Sequence, residues 1–492
     1  MKFIYLSILT CICFTNCENI SFTSKTSSDL KVMPAKKSFY KNYVEASTSS
    51  DDTVIAIKSL VSAQTIPLYG FNANNIRGVS WTDSLLMARI KKLKPQILRY
   101  PGGNVANWWN WKTGWFVNHK NLPQKFGSIK DANRVKMDLS ELQSLVNVTG
   151  SDVLFVLNVL TATLEDQINM LHKAEELGIP VKWVELGNEL NLINNPGHIA
   201  FRTGGNYGEK CSKWILKIKE EFPDVKIAVV GGNRKDNNHV KTWNRDVLGA
   251  IPDVDALVWH SYLAAKHTVE LKKGINFELL DRKLKGIFHA EGFKKDIGNK
   301  DTEVWVTEYN LQWTILKDEN KKQIQKISQT WQNALAVLFI TSEITEVSPR
   351  VKMVLNHNLT SFPIFAAIET FPNTTYNLLP NGEAMQIWLN TIQQMTLMQK
   401  LNFEENECKI EDYEVFGWKF SNDEQGRILI VNITDQNKTI DLNSFYNDNP
   451  FKVYYSNEQK TTVNFEDVQI KEGKLKSETM VLPPHAVAII EI

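Results

Sequence analysis

The feature that most constrains this chain is an alternation of short apolar runs with amphipathic stretches, beginning near residue 54 and fading near residue 376. The apolar runs are Pro67–Phe71, Ile97–Tyr100, Val153–Val159, Val181–Leu186, Ile227–Val230, Ala256–Tyr262, Glu303–Thr307 and Lys352–Leu355. Most gaps between them hold a helix-length segment, as at Asp83–Leu93, Asp138–Val146, Glu165–Leu177, Glu209–Glu221 and Lys322–Thr341. Runs this short and this continuously apolar read as strands buried on both faces, and strands separated by helices pair in parallel. Eight such units in about 300 residues predict a (β/α)8 TIM barrel over an open doubly wound sheet. No G-x-G-x-x-G or G-x-x-x-x-G-K-S/T loop follows the first run, which weakens a nucleotide-binding version of the α/β class.

After about residue 376 the texture changes. Glu383–Met398 can form one helix, and then short alternating segments follow at Tyr413–Phe420, Ile428–Thr434, Lys438–Leu442, Phe451–Tyr455, Met480–Leu482 and Ala486–Ile492. Turn residues (Asn422-Asp423, Asn447-Asp448, Pro483-Pro484) separate them, which predicts an all-β sandwich over 376–492 behind a barrel at 53–375. The isolated run Thr53–Ile57 has no helix after it and is a candidate extra strand of that sandwich.

Residues 1–17 join one positive charge, Lys2, to an apolar run from Phe3 to Phe14, the layout of a secretory signal and too short to span a bilayer. Export is the expectation, with no transmembrane segment. Cys17 fits a lipid-attachment cysteine of a cell-surface lipoprotein if the source is bacterial, although Phe14-Thr-Asn16 is a poor cleavage box. Residues 18–52, rich in Ser, Thr and Lys, read as a partly disordered linker. Of the five cysteines only Cys211 and Cys408 lie in the body, so neither a disulfide framework nor a metal spacing is present, and two free thiols are favoured over one bridge. Lys plus Arg number 56 against 55 Asp plus Glu, which removes any general electrostatic reason to bind nucleic acid.

In a barrel of this kind reactive groups come from the C-terminal ends of the strands. Those positions carry Asn72 and Asn74, then Arg99 followed by Pro101-Gly-Gly-Asn104, Asn158, Asn188-Glu189, His260 and Tyr262, Glu308, and Asn356-His357. Apolar strands run directly into Glu189 and Glu308, 308 − 189 = 119 residues apart and three strands apart, so that they face each other across the barrel mouth. Two carboxyl groups so placed suit glycosidic-bond cleavage, one protonating the leaving oxygen and the other attacking the anomeric carbon. Arg99 and the Tyr262 hydroxyl are placed to keep Glu308 ionised, while Glu189 sits by the Asn188 amide and the apolar wall of Trp183 or Trp259. Arg99 also reads as a structural ion-pair partner, and His260 as a satisfied core histidine, though Tyr262 shares its side of the strand. Glu185 reads as buried and paired, or as directed to the helix layer. The cluster Trp108-Trp109-Asn110-Trp111 with Trp115 is either loop packing or a sugar platform. Asn72, Asn104, Asn158 and Trp313 complete the candidate sugar contacts. No ligand cluster calls for a metal, and no cofactor is expected.

At these residues the sequence resembles a clan A retaining glycoside hydrolase. Trp183-Val-Glu-Leu-Gly-Asn-Glu-Leu-Asn191 resembles the acid/base motif of the heparanase and β-glucuronidase family (family 79), and Leu98-Arg-Tyr-Pro-Gly-Gly-Asn104 resembles the second-strand motif of family 51 α-L-arabinofuranosidases. Both families pair a barrel with a β-sandwich, and Leu482–Ile492 resembles their closing strand. The resemblance implies that Glu189 is the acid/base, Glu308 the nucleophile, Asn188 the ligand of the sugar 2-hydroxyl, and Tyr262 and Arg99 the residues that orient Glu308. The chain departs from the pattern in three places. Gly70-Phe-Asn-Ala-Asn74 lacks the glutamate with which arabinofuranosidases grip the sugar, Asn104 stands where heparanase-like enzymes usually have Thr, and Thr307-Glu308-Tyr309 is not their usual nucleophile context.

The expectation is a secreted retaining hydrolase of polysaccharides or oligosaccharides, glucuronidase- or arabinofuranosidase-like. The alternatives are a carbohydrate-binding surface protein that has lost catalysis, and a lyase or transglycosidase using the same glutamate pair.

Overall fold

A computed structural model describes residues 54–492 except 77–78, 128–134, 194, 196, 233–240, 252, 265–268, 271–273, 289–294, 296–300, 313–325, 362–363, 371–375 and 457–467. The segment 1–17, the linker, Cys17 and Trp313 therefore lie outside the described residues. Among the described residues no helix is long and apolar enough to cross a membrane, and Cys211 and Cys408 are both free.

Eight parallel strands close into a barrel: β1 (Leu68–Asn72), β2 (Ile97–Tyr100), β3 (Asp152–Leu157), β4 (Trp183–Leu186), β5 (Lys226–Val230), β6 (Ala256–Ala264), β7 (Glu303–Gln312) and β8 (Val351–Asn356). Around them run α1 (Ser84–Leu93), α2 (Leu139–Thr149), α3 (Leu164–Glu176), α4 (Gly204–Glu221), α5 (Trp243–Ala250), α6 (Phe277–Phe288), α7 (Trp331–Glu346) and α8 (Pro380–Ile392). Local chemistry starts several of these helices. The carboxylates of Asp83 and Asp138 accept from the first free backbone N–H groups of α1 and α2, and the hydroxyls of Thr163 and Thr203 do so for α3 and α4.

The barrel interior is layered. Its floor is apolar, built from Ile97, Leu154, Ala228, Ala256, Val258, Trp305, Met353 and Leu355, with Leu68 and Trp183 packed against them. Two residues further along several of the strands, at the C-terminal mouth, the inward positions turn polar. This period-two alternation is what lifts Arg99, Glu185 and His260 above a sealed floor.

Helix α8 corrects the boundary expected at 376. It has Pro380 at its first turn and lies against α7 and α1, with the Trp388 ring 5.5 Å from Tyr69 of β1, so it is the eighth helix of the barrel. It ends at Ile392, short of the helix to Met398 expected from sequence, because Gln394 takes a positive φ of 66° and the chain turns into the strand Leu397–Glu405.

That strand organises the sandwich. Its first half, Leu397–Lys400, pairs antiparallel with Val415–Ser421, and its second half, Leu401–Glu405, pairs with the N-terminal strand Val54–Leu60. One strand thus belongs to both sheets, and residues 54–60 lie in the sandwich. One side of the fold continues through Gly426–Asn432, Ala486–Glu491, Pro450–Ser456 and Val468–Lys474, the other through Lys438–Asp441 and Thr479–Leu482. Ile55, Leu401, Phe403, Val415, Ile430, Ile440, Leu482 and Ile490 fill the space between. Helix α7 is buried along its length because the barrel covers one side and the sandwich the other. Trp418 donates to Ser342 at 2.7 Å and Trp331 to the carbonyl of His485 at 2.6 Å.

Candidate active site

Arg99, at the end of β2, is the fixed point of the mouth. Its guanidinium is fully buried and has five N–H donors, all directed at oxygens of the protein. Nε and Nη2 meet the two oxygens of Glu185 at 2.8 and 2.5 Å, Nη2 also reaches Asn188 Oδ1 at 2.8 Å, and Nη1 reaches Asn72 Oδ1 at 2.7 Å and Glu308 Oε1 at 2.6 Å. The bidentate pair with Glu185 neutralises the guanidinium inside the barrel and fixes its plane. Of the two readings left open for Glu185, the structure adopts the buried, paired one. Strand alternation could have found it, since Glu185 follows the inward-facing Trp183 by two residues.

Glu308 owes its direction to a bulge in β7. Between paired positions, β7 carries one residue more than β6 (Val258 opposite Trp305, His260 opposite Glu308) and one more than β8 (Val306 opposite Val354, Tyr309 opposite Asn356). An extra residue breaks the alternation, so Glu308 turns into the mouth while Tyr309 points out to Thr341 of α7, 2.7 Å away. Asn72 holds the bulge by donating to the Thr307 carbonyl at 2.7 Å. The expected strand ended at Thr307, and the observed one continues to Gln312.

The second oxygen of Glu308 accepts the Tyr262 hydroxyl at 2.5 Å, and His260 and His357 lie 3.8 and 3.9 Å from it. Burial, the largest influence, opposes ionisation of this carboxyl. Attraction from His260, His357 and Arg99 and the hydrogen bond from Tyr262 outweigh it, so its pKa is held at about 2. The same carboxylates raise His260 despite its burial, while burial, Arg99 and His260 lower His357. Replacing Tyr262 by Phe removes a donor to the ionised form and must therefore raise the Glu308 pKa. The acidic limb of kcat/KM is expected to move to higher pH by about one unit, read from a pH–rate profile of the free enzyme.

Glu189 follows β4 across a short turn in which Gly187 has φ 90° and Glu189 itself φ 48°, a left-handed conformation uncommon outside glycine. The loop after β2 enforces it. Asn107 accepts from the Asn188 backbone N–H at 3.0 Å and donates to its carbonyl at 2.8 Å, while Asn104 accepts from the side chains of Asn188 (3.0 Å) and Asn195 (2.7 Å). Gly102 and Gly103, with φ 73° and 60°, let this loop pass close over the mouth. A Cβ on Gly103 would sit 3.3 Å from the Asn74 amide and 3.8 Å from Glu308. Asn104 donates to one oxygen of Glu189 at 3.2 Å, and the other faces His260 Nδ1 at 3.1 Å, whose Nε2 meets Thr307 Oγ1 at 3.1 Å.

The two glutamates come together. One ligand atom each from Glu189, His260 and Glu308 lies within 4.8 Å of the others. These three could hold a cation, as could Glu343, Glu346 and Asp412, among which the ammonium of Lys400 already sits. For glycoside cleavage the first cluster has the needed contrast: Glu308 is almost fully buried among positive partners, and the Glu189 side chain is about one-sixth exposed.

Several expected sugar contacts are placed differently. Asn72 is buried beneath the carboxylates with its polar atoms spent on Arg99 and the Thr307 carbonyl, so it positions Glu308 together with Arg99, which was expected there. Asn158 is turned into the loop layer, donating to the Trp109 carbonyl at 3.1 Å and Thr161 at 2.7 Å, because the loop after β2 needs an anchor there. Trp183 packs on Trp305 in the floor, ring centroids 5.5 Å apart, and Trp259 is buried in the core shared with the helices, so neither forms a wall beside Glu189. The tryptophan cluster packs its own loop: Trp109 lies edge-on to Tyr100 and Phe116, and Trp111 donates to Asp166 of α3. Sequence reasoning missed Asn107 and Asn195, whose only signal was their place in loops after strand ends, and it left His357 unassigned.

No family model matches the chain. Among curated proteins it is similar to an intracellular exo-α-(1→5)-L-arabinofuranosidase of Acetivibrio thermocellus, 23% identical over 195 residues, or 36% of this chain and 38% of that protein. The chain thus spans well under half the length of the curated relative it matches. Among solved structures it is similar to an α-L-arabinofuranosidase of Thermotoga maritima in complex with arabinose, with TM-score 0.67 and 16% identity over 90% of this chain and 100% of the other. It is also similar to a 4-O-α-L-rhamnosyl-β-D-glucuronidase of Fusarium oxysporum, with TM-score 0.58 and 13% identity over 90% of this chain and 99% of the other. At these identities the likeness is one of fold, a TIM barrel with a C-terminal β-sandwich.

Proposed function

We propose that the protein is an exported retaining glycoside hydrolase in which Glu308 is the nucleophile and Glu189 the acid/base. The observation that carries this reading is the approach of the two carboxylates, with an oxygen of one within 4.8 Å of an oxygen of the other. Retaining enzymes hold the pair at ~5–5.5 Å, and inverting ones need ~6.5–9.5 Å to admit a water between them. The asymmetry of surroundings supports this division of roles. Glu308, ionised at any pH above about 2, attacks the anomeric carbon; its new bond to that carbon forms as the glycosidic bond breaks. Glu189 gives its proton to the departing oxygen. In the second step Glu189 takes a proton from water, the water oxygen attacks the anomeric carbon, and the bond to Glu308 breaks. His260 and Asn104 hold Glu189 in reach of the leaving oxygen, and Arg99 and Tyr262 hold Glu308.

The substrate is an arabinofuranoside or a glucuronide, the two sugar classes named for the similar proteins, borne on a plant, algal or matrix polysaccharide or its oligomers. Asn74 in place of the glutamate of arabinofuranosidases favours the glucuronide of the two. Export rests on the first 17 residues. Aryl glycosides of arabinofuranose, glucuronic acid, xylose, glucose and galactose test the reading. Turnover of at least one, with the first-formed sugar keeping the anomeric configuration of the substrate, is expected. Binding of oligosaccharides with no turnover across the panel would mark a binding protein instead.

A further inference from the structure

His357 follows β8 and has no role in the mechanism above. Its backbone is fixed on both sides: its N–H donates to the Tyr309 carbonyl at 3.1 Å, and its own carbonyl accepts from the Asn310 side chain. Its ring is fixed as well, standing edge-on to Tyr262 at 6.0 Å and to Phe365 at 6.3 Å. Yet Nδ1 is buried and meets no hydrogen-bond partner among the described residues. A buried ring nitrogen normally finds one, and an orphan that lines a reaction site is open to a ligand group. The contrast with His260 is sharp, since both of its ring nitrogens are engaged by Glu189 and Thr307.

The orphan faces the reacting atoms. Nδ1 lies 3.9 Å from Glu308 Oε2, too far for a hydrogen bond, but two atoms at that separation can both reach one hydroxyl oxygen placed between and above them. The Nδ1–H would donate to that oxygen, and the hydroxyl hydrogen would pass to Oε2. We propose that His357 is a specificity-determining residue which hydrogen-bonds one hydroxyl of the sugar held between Glu189 and Glu308. This rests on the hydrolase reading. It deepens that reading by giving the glycone a required hydroxyl, on the face of the ring turned to Glu308 and β8. The neutral imidazole suits the task, since it carries both a donor and an acceptor, and burial disfavours its charged form.

The test uses the aryl glycoside that the wild type hydrolyses fastest, together with its monodeoxy analogues, one for each ring hydroxyl. For the wild type, kcat/KM should fall between about 10- and 100-fold on losing one particular hydroxyl, the span of a hydrogen bond to a charged group. His357→Phe, which keeps the ring between Tyr262 and Phe365, should lose part of that factor on the parent glycoside and a correspondingly smaller factor on that one analogue, because the hydroxyl's bond to Glu308 remains. His357→Asn, whose amide reaches the place of Nδ1, should restore most of the discrimination. Melting curves of both variants establish that they fold, and each is informative alone. Undiminished discrimination at every hydroxyl in His357→Phe, or in a folded His357→Ala, would overturn the assignment while leaving the hydrolase reading intact. Absence of turnover by the wild type on every glycoside would overturn the hydrolase reading first and this one with it.

Discussion

Glu308→Ala is expected to lower kcat/KM for any productive aryl glycoside by about 10⁵- to 10⁶-fold, the scale seen when a nucleophile is removed from a machinery that acts as a unit. The loss has two parts. The carboxylate that forms the bond to the anomeric carbon is gone, and with it the charge that faces His260, His357 and Tyr262 across 2.5–3.9 Å. Arg99 keeps its bidentate pair with Glu185 and its bond to Asn72, so the variant should stay folded, with a melting temperature lowered by the missing ion pair between Glu308 and Nη1. The vacated space beside the anomeric carbon admits a small anion. Added azide should restore part of the rate with activated substrates and yield a glycosyl azide of inverted configuration. Undiminished hydrolysis by a folded Glu308→Ala protein would end the nucleophile assignment.

Glu189→Ala should behave differently, and the difference is the more telling result. With a poor leaving group the proton it donates is essential, and kcat/KM should fall by about 10²- to 10⁴-fold. With an activated leaving group that needs no proton, the first step should be nearly unaffected. The second step then lacks its base, so the glycosyl–enzyme accumulates and kcat falls together with KM. Azide, which needs no general base, should rescue this variant through a product of retained configuration. Rescue products of opposite configuration in the two variants would separate the roles of the two glutamates. A Glu189→Ala protein equally impaired on good and poor leaving groups would argue that Glu189 only shapes the site.

Much of this arrangement was legible in the sequence because strands that end in polar residues announce the barrel mouth. Apolar runs leading into Arg99, Asn188-Glu189, His260 and Glu308 sufficed to put those side chains at one end of one barrel. The pairing of Tyr262 with Glu308 followed from two-residue alternation from His260 to Tyr262. What failed to show was decided by tertiary context. The bulge that aims Glu308 is visible only against its neighbours, since β7 alone reads as an uninterrupted strand. Helix α8 has apolar residues on most of its surface because α7, α1 and the sandwich all cover it, and such a helix gives no sign of which domain owns it. Asn158 illustrates the same limit in a loop. An asparagine at a strand end serves a ligand and a loop anchor equally well, and only the observed carbonyl of Trp109 settles the choice.

Double displacement requires a covalent intermediate at one named residue, and one experiment reaches it directly. Glu189→Ala protein, mixed with the fastest activated aryl glycoside and quenched in acid within the first turnover, is weighed intact and then digested for peptide mapping. A mass increase of one glycosyl unit, carried by the peptide containing Glu308, is the predicted result. A protein that releases a full equivalent of aryl group without gaining that mass, or gains it on a peptide lacking Glu308, would contradict the double displacement.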